Sequence, residues 1–329
     1  MRPVRALRLF VPSLAAMFVL VMIAGCRSHT DTAGLTPVKL QADWYPQPEH
    51  GGFYTALVKG YYKAEGLDVQ ILPGGPYISS EALVASGAVQ FGMNSSDHVL
   101  EAIANSGEPL IAVGATMQHD PQGIMVRANS PVHTWTDLEG HTVAVKPGST
   151  WWEFLLKKFK LKTVHEIPAT YSVANFLQDP NYIQQAFVTS EPYFAQKAGV
   201  TTRMLLNSDA GFDPYRVFYT SQAYAQEHPD VVAKFTRASL RGWRDYMADP
   251  TAANAEIQKL NPALDQAWMN YSYNALKAGH FVTGSDPSGA QVGQFDPTRW
   301  NTMYQQLLEL KVIQKPIDPA TAYTTKFMK

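Results

Sequence analysis

Residues 38–72, VKLQADWYPQPEHGGFYTALVKGYYKAEGLDVQIL, decide the fold. The apolar opening reads as a strand, and an aromatic and proline loop follows it (Asp43, Trp44, Tyr45, Pro46, Pro48, His50). From Gly52 to about Glu65 the spacing predicts a helix that Gly66 stops, and residues 67–72 read as a second strand. Strand, loop, helix and parallel strand make one βαβ unit, whose ligands sit at the carboxyl ends of the strands. The loop after Ala42 is therefore the first place to expect a ligand.

Working outward, the chain has 329 residues, 46% of them hydrophobic, which is enough for two lobes of ordinary size. A formal charge of -1 leaves no nucleic-acid footprint. At the amino end Arg2, Arg5 and Arg8 precede an apolar run over residues 9–23, closed by Ile23-Ala24-Gly25-Cys26. That run is short for a membrane span. It resembles a bacterial lipoprotein leader, which implies cleavage before Cys26, acylation of that residue and an envelope location; an ordinary secretory leader or an uncleaved anchor is the competing reading. Cys26 is the only cysteine, so an internal disulfide and a thiolate metal site are excluded. Residues 1–25 are expected as signal peptide and 26–36 as a flexible tether.

Beyond the first unit, Ser79 or Ser80 opens a helix, residues 89–93 form a short strand, and Asn94, Ser95 and Asp97 lie at its end. Further strands are expected over 109–117 and 123–131. A second βα series starts with a strand at 142–146, continues through Gly148, Ser149 and Thr150 into a helix from Trp151 to Lys160, and reaches a strand at 183–188. Glu191 and Tyr193 lie at the end of that strand. From Ser221 onward the pattern is helical. Two α/β lobes with a helical tail result, each lobe a mostly parallel sheet flanked by helices. The expected lobes are 36–127 with 220–329, and 128–219, hinged near Arg127 to Asn129 and near Val217 to Thr220.

The segments DWYPQPEHGGFYTALVKGYYKAEGLDV (43–69), LVASGAVQFGMNSSDH (83–98) and SEPY (190–193) resemble the family that contains thiamine-pyrimidine-precursor binding proteins of ABC importers and the pyrimidine synthase related to them. The resemblance covers most of residues 36 to 250. It implies a type II periplasmic binding protein, α/β and two-lobed, that closes on a small molecule and hands it to an ABC permease and its ATPase. It implies no cofactor. The synthase branch looks to carry a pyridoxal-phosphate lysine where this chain has Asn94, and a cysteine-rich metal stretch near residues 213–219, DPYRVFY here. His98 does match a histidine of that branch, but without the lysine no Schiff base forms there.

Trp44, Tyr45, His50 and Tyr54 are candidates to stack and orient a flat ring, with capping of the core as the competing reading. Glu191 is a candidate to accept hydrogen bonds from an exocyclic amine or protonated ring nitrogen, against an exposed acid paired with Lys197 or Arg216. Gly148, Ser149, Thr150 and Trp151 open a helix whose N–H groups suit a carbonyl or anionic group. Asn94, Ser95 and Asp97 are ambiguous between cap and ligand. Tyr193 and Tyr215 complete the set, and with Tyr77 they compete with a packing role; His119 and Asp120 read as solvated. An anionic ligand would instead call for Arg216 or Lys146 in the cleft. No nucleophile elbow, zinc motif, phosphate loop or dinucleotide fingerprint occurs, and the nine histidines have no metal-ligand spacing. The expectation is a monomeric receptor, not an enzyme, with a heteroaromatic ligand, preferably an aminopyrimidine thiamine precursor; riboflavin-like, sulfonate or aromatic-acid ligands are alternatives.

Overall fold

The computed structural model describes residues 34–286 and 288–329. The leader, Cys26 and most of the tether lie outside the described residues. Among the described residues no helix is long and apolar enough to cross a membrane.

The first sheet begins with β1 (Thr36–Gln41), which buries Val38, Leu40 and Gln41. The helix expected from Gly52 is split into α1 (Gly51–Val58) and α2 (Tyr61–Ala64), because Gly60 takes the left-handed conformation at φ 73°. Then come β2 (Leu67–Leu72), α3 (Ser80–Ala85), β3 (Phe91–Ser95), α4 (Ser96–Glu101) and β4 (Leu110–Met117). Ser79 caps α3 by accepting from the Ala82 N–H.

The chain then crosses into a second sheet made of β5 (Gln122–Arg127), β6 (Thr142–Val145), α5 (Thr150–Lys158), β7 (His165–Pro168), α6 (Ala174–Gln178), β8 (Ile183–Phe187), α7 (Glu191–Lys197) and β9 (Thr202–Leu206). It returns with β10 (Arg216–Ser221) into the first sheet. A helical tail follows: α8 (Gln222–Glu227), α9 (Pro229–Ala248), α10 (Thr251–Leu260), α11 (Gln266–Ala278) and α12 (Pro297–Glu309).

The strand orders are β2-β1-β3-β10-β4 and β7-β6-β8-β5-β9. In each sheet the crossing strand, β10 or β5, runs antiparallel to both neighbours and the other four run parallel to one another. The two crossings are therefore residues 118–121 and 207–215, not the hinges read from sequence. β5 is already a strand of the second sheet and β10 a strand of the first. Uninterrupted apolar runs look the same whichever sheet they join, which is why the hinge positions were misplaced.

The tail closes the first sheet. Val232, Phe235, Ser239, Trp243 and Tyr246 form a buried stripe along α9. Phe235 stacks on Phe91 with centroids 3.8 Å apart, and Phe53 meets Phe218 edge-on at 5.6 Å. The helices α1 and α9 approach so closely that a Cβ on Gly242 would stand 2.2 Å from the Gly52 carbonyl oxygen. That contact fixes α1, and with it the loop between β1 and α1.

Candidate functional site

The cavity between the sheets has a volume of about 720 Å³ and is lined from both, a size usual for ligand sites. The loop after β1 forms one wall. Gln41 Nε2 donates to the carbonyls of Ala42 (3.0 Å) and Pro73 (2.9 Å), and the Gly74 N–H donates to Trp44 O at 2.9 Å. A Cβ on Gly74 would meet Ala42 O at 2.2 Å, so only glycine permits this crossing of the loops after β1 and β2. Trp44 is thereby held at the cavity with its ring 5.6 Å from Tyr171 of the second sheet's side, tilted by 50°. Tyr171 has a left-handed φ of 54°, rare for a side chain of this size.

Asp43, in the same loop, accepts from His50 Nε2 at 3.0 Å and pairs with the Arg216 guanidinium. Burial pulls the His50 imidazole down to about 4, so it is neutral near pH 7 and its Nε2–H is the donor. Burial lowers Arg216 to about 10, which leaves it charged. Arg216 and Asp43 line the cavity, whereas His50 sits behind them and orients the carboxylate.

Other carboxyl groups converge on this space. Glu49, Glu81, Asp97, Glu101 and Glu108 come from the first sheet's side, Glu191 from the second, and Asp120 from the crossing between them. Burial pushes Glu49, Glu101 and Glu191 above the usual carboxylate range. Asp120 is raised well above it, by burial first and then by the negative charges of Asp97 and Asp213. Against these acids stand Arg216, already paired, and the exposed Lys146.

Several bonds join the two sides. Thr150 donates to Glu101 at 2.7 Å, Thr189 donates to Glu49, and the Tyr271 hydroxyl donates to Val188 O at 3.1 Å. At the outer edge Tyr193 donates to Asp265 at 2.9 Å, and Lys197 pairs with the same carboxylate at 2.5 Å.

Of the residues singled out from sequence, Trp44, Asn94, Ser95, Asp97, Gly148, Ser149, Thr150, Trp151 and Glu191 line the cavity together, as does His98. Tyr45 is set back on Trp44, with centroids 5.6 Å apart, and is half exposed. Tyr54, on α1, is buried in the core and does not line the cavity. Tyr215 packs on Trp300 and under Arg299, and Tyr193 serves the edge contact with Asp265. Glu191 is the first residue of α7, a helix not expected there because Pro192 reads as a loop signal; proline is equally at home in a helix's first turn. Its carboxylate accepts from the Phe187 N–H at 2.8 Å, not from Lys197 or Arg216. Ser149 precedes α5 without capping it, and its hydroxyl donates to Lys146 O at 2.8 Å.

Sequence reading missed Asp43, Glu49, Glu101, Tyr171 and Gln184 as cavity residues. Tyr171 and Gln184 were within reach of the rule that ligands meet strand ends, since one follows β7 and the other lies within β8. Asp120 is buried rather than solvated, and His119 bonds Asp213 at 2.7 Å; a position between two sheets carries no periodic signal. Tyr77, read as packing, is 97% exposed. Asn94, where the related synthases look to carry lysine, donates to Glu81 at 2.7 Å. Among the described residues no group of side chains is arranged to hold a metal ion.

The model of the NMT1/THI5-like family matches residues 47–253. The chain belongs to that family. Within the family's reach, the chain is 24% identical over 338 residues to the riboflavin-binding protein RibY of Chloroflexus aurantiacus, covering 95% of this chain and 96% of that one. It is 26% identical over 254 residues to the formylaminopyrimidine-binding protein of Halalkalibacterium halodurans (73% and 76% covered). It is also 34% identical over 244 residues to the 4-amino-5-hydroxymethyl-2-methylpyrimidine phosphate synthase THI11 of Saccharomyces cerevisiae (68% and 71% covered). Its fold is shared with the periplasmic aliphatic sulphonate binding protein SsuA from Escherichia coli, at a TM-score of 0.66 and 18% identity, over 87% of this chain and 91% of that one. The family member described here thus has a periplasmic binding protein fold.

Proposed function

We propose that this protein is the substrate-binding lipoprotein of an ABC importer. It captures a flat heteroaromatic molecule bearing N–H donors, preferably an aminopyrimidine precursor of thiamine, and delivers it to a permease. The observation that carries this reading is that Trp44 and Glu191, from opposite sides, line one cavity. An aromatic face stacks a flat ring, worth about 0.5–1.5 kcal/mol beyond burial. A carboxyl group raised toward neutrality suits the edge of an aminopyrimidine, because one oxygen accepts from the exocyclic amine while the other exchanges a proton with the ring nitrogen. The bonds from Thr150 and Thr189 to carboxylates across the cleft support a closed form reached by hinge motion at residues 118–121 and 207–215. Kinship with a protein named for formylaminopyrimidine supports the same ligand class.

The acid-rich lining weighs against sulfonates and aromatic acids, since Arg216 is matched by Asp43. A riboflavin-like ligand is the second reading, favoured by the cavity's volume and by the RibY kinship along the whole chain. Enzyme activity is not part of the proposal: Asn94 offers no amine for a Schiff base, and a pyridoxal phosphate absorbance band that survived dialysis would contradict this. Anchoring through acylated Cys26, an extracytoplasmic location and a monomeric state complete the reading. Calorimetric titration with 4-amino-5-hydroxymethyl-2-methylpyrimidine and with its formylamino counterpart tests the preferred ligand, and no heat at millimolar concentration rejects it.

A further inference from the structure

Among the described residues, two that line the cavity from opposite sides each hold a buried side-chain oxygen with no hydrogen-bond partner. Asp97, in the first turn of α4, is 3% exposed and lines the cavity, yet its Oδ1 has no hydrogen-bond partner. Gln184, within β8, is 5% exposed, lines the same cavity, and leaves its Oε1 equally unpaired. Buried polar atoms in folded proteins are nearly always bonded, and an unmatched carboxylate oxygen is among the costliest exceptions. Such atoms mark where a donor arrives from outside.

The titratable groups around this space are mostly carboxyl groups. Asp120, beside Asp97, is itself 3% exposed and has only a long contact, 3.4 Å, from the Gln122 N–H. Glu49 adds its negative field to the same region. Arg216, the buried cation of the cavity, is held by Asp43, and Lys146 is exposed. A phosphate, sulfonate or carboxylate placed here would meet the unpaired oxygens of Asp97 and Gln184, with the buried Arg216 already paired to Asp43.

We infer that Asp97 and Gln184 form a donor-reading subsite that admits ligands with neutral or cationic N–H groups at their buried end and rejects the phosphate esters of the same molecules. This builds on the heteroaromatic reading above, but it rests on different residues and is separable from it. The substrate class is the unphosphorylated amine-bearing heterocycle.

The test is calorimetric titration of the purified protein with two pairs that differ only by a phosphate: 4-amino-5-hydroxymethyl-2-methylpyrimidine and its phosphate ester, and riboflavin and riboflavin 5′-phosphate. In whichever pair binds, the parent is expected to bind about 100-fold more tightly than the ester. Asp97→Asn is expected to weaken the parent about tenfold and narrow that gap, with a circular dichroism spectrum like that of the unsubstituted protein. An ester that binds within about threefold of its parent overturns the inference while the heteroaromatic reading stands, and so does unchanged affinity in Asp97→Asn. The wild-type comparison needs no variant to fold. If neither pair binds, the heteroaromatic reading falls, and native mass spectrometry of protein from its own host decides the subsite. A co-purified amine supports it; an anion or no bound molecule overturns it.

Discussion

Thr150, the first residue of α5, donates a 2.7 Å hydrogen bond to Glu101 at the end of α4, tying a helix of the second sheet to a helix of the first. The Glu101 carboxyl is largely shielded from water and raised by burial, so the hydroxyl is a partner that solvent does not readily replace. Thr150→Val removes the donor and keeps the shape. Losing about 1 kcal/mol from the closed form alone should weaken ligand binding about fivefold. Titration calorimetry reads that loss, and small-angle scattering should show a less compact liganded protein. Unchanged affinity would mean that this bond does not contribute to closure.

Trp44 stands at the cavity wall facing Tyr171, and its backbone is pinned by Gly74 rather than by its own ring. Removing the indole therefore should cost binding more than folding. Trp44→Ala should reduce affinity for a flat heterocycle by about tenfold or more, while Trp44→Phe retains most of it. The melting temperature should move little in either variant. Quenching of tryptophan fluorescence on titration is expected in the unsubstituted protein and should diminish in Trp44→Phe.

Gly242 lies inside the 20-residue helix α9, where alanine ordinarily gains about 1 kcal/mol in helix propensity. Here the added Cβ would lie 2.2 Å from Gly52 O and 2.8 Å from the Ala56 Cβ. Both are buried, and the first is backbone, so relief requires the helices to part. Overpacking of this kind costs about 1–3 kcal/mol, which outweighs the propensity gain. Gly242→Ala should lower the melting temperature, and a rise would show that α1 and α9 can separate cheaply.

The order of strands and helices was largely legible because each element carries its own pattern: the buried alternation of β1, the stripe on α9, and Gly66 as a break. What failed was whatever depends on two distant segments meeting. Asp120 reads as a turn acid until the second crossing brings Asp213 against its backbone at 2.9 Å, and Tyr54 falls on the wrong face of α1 only once α9 and α10 are packed there. The aromatic loop was found because Trp44 and its prolines lie next to one strand's end. Its partner Tyr171 was missed because the cleft that joins them is not written in either neighbourhood.

Asp120 supplies a pH signature whose sign is fixed. Its folded carboxyl is raised well above the ordinary value near 3.8, by burial first, so between the two values the folded protein holds a proton that the unfolded chain has released. That contribution to stability is full below about pH 3.9 and is lost as the pH rises through the raised value. Glu49, Glu101 and Glu191 act in the same direction, whereas His50, lowered to about 4, acts in the opposite one: its contribution is present above about pH 6.5 and is lost as the pH falls toward 4. The difference between the unsubstituted protein and Asp120→Asn cancels these common effects. Asparagine keeps an oxygen for the Gln122 N–H and cannot ionise. In scanning calorimetry the two proteins should melt together near pH 4, and the variant should melt at increasingly higher temperature as the pH approaches neutrality. A constant gap, or a variant that becomes the less stable partner at neutral pH, would show that the Asp120 carboxylate is matched by a charge in the folded protein and that the cavity floor is less acidic than its residues imply.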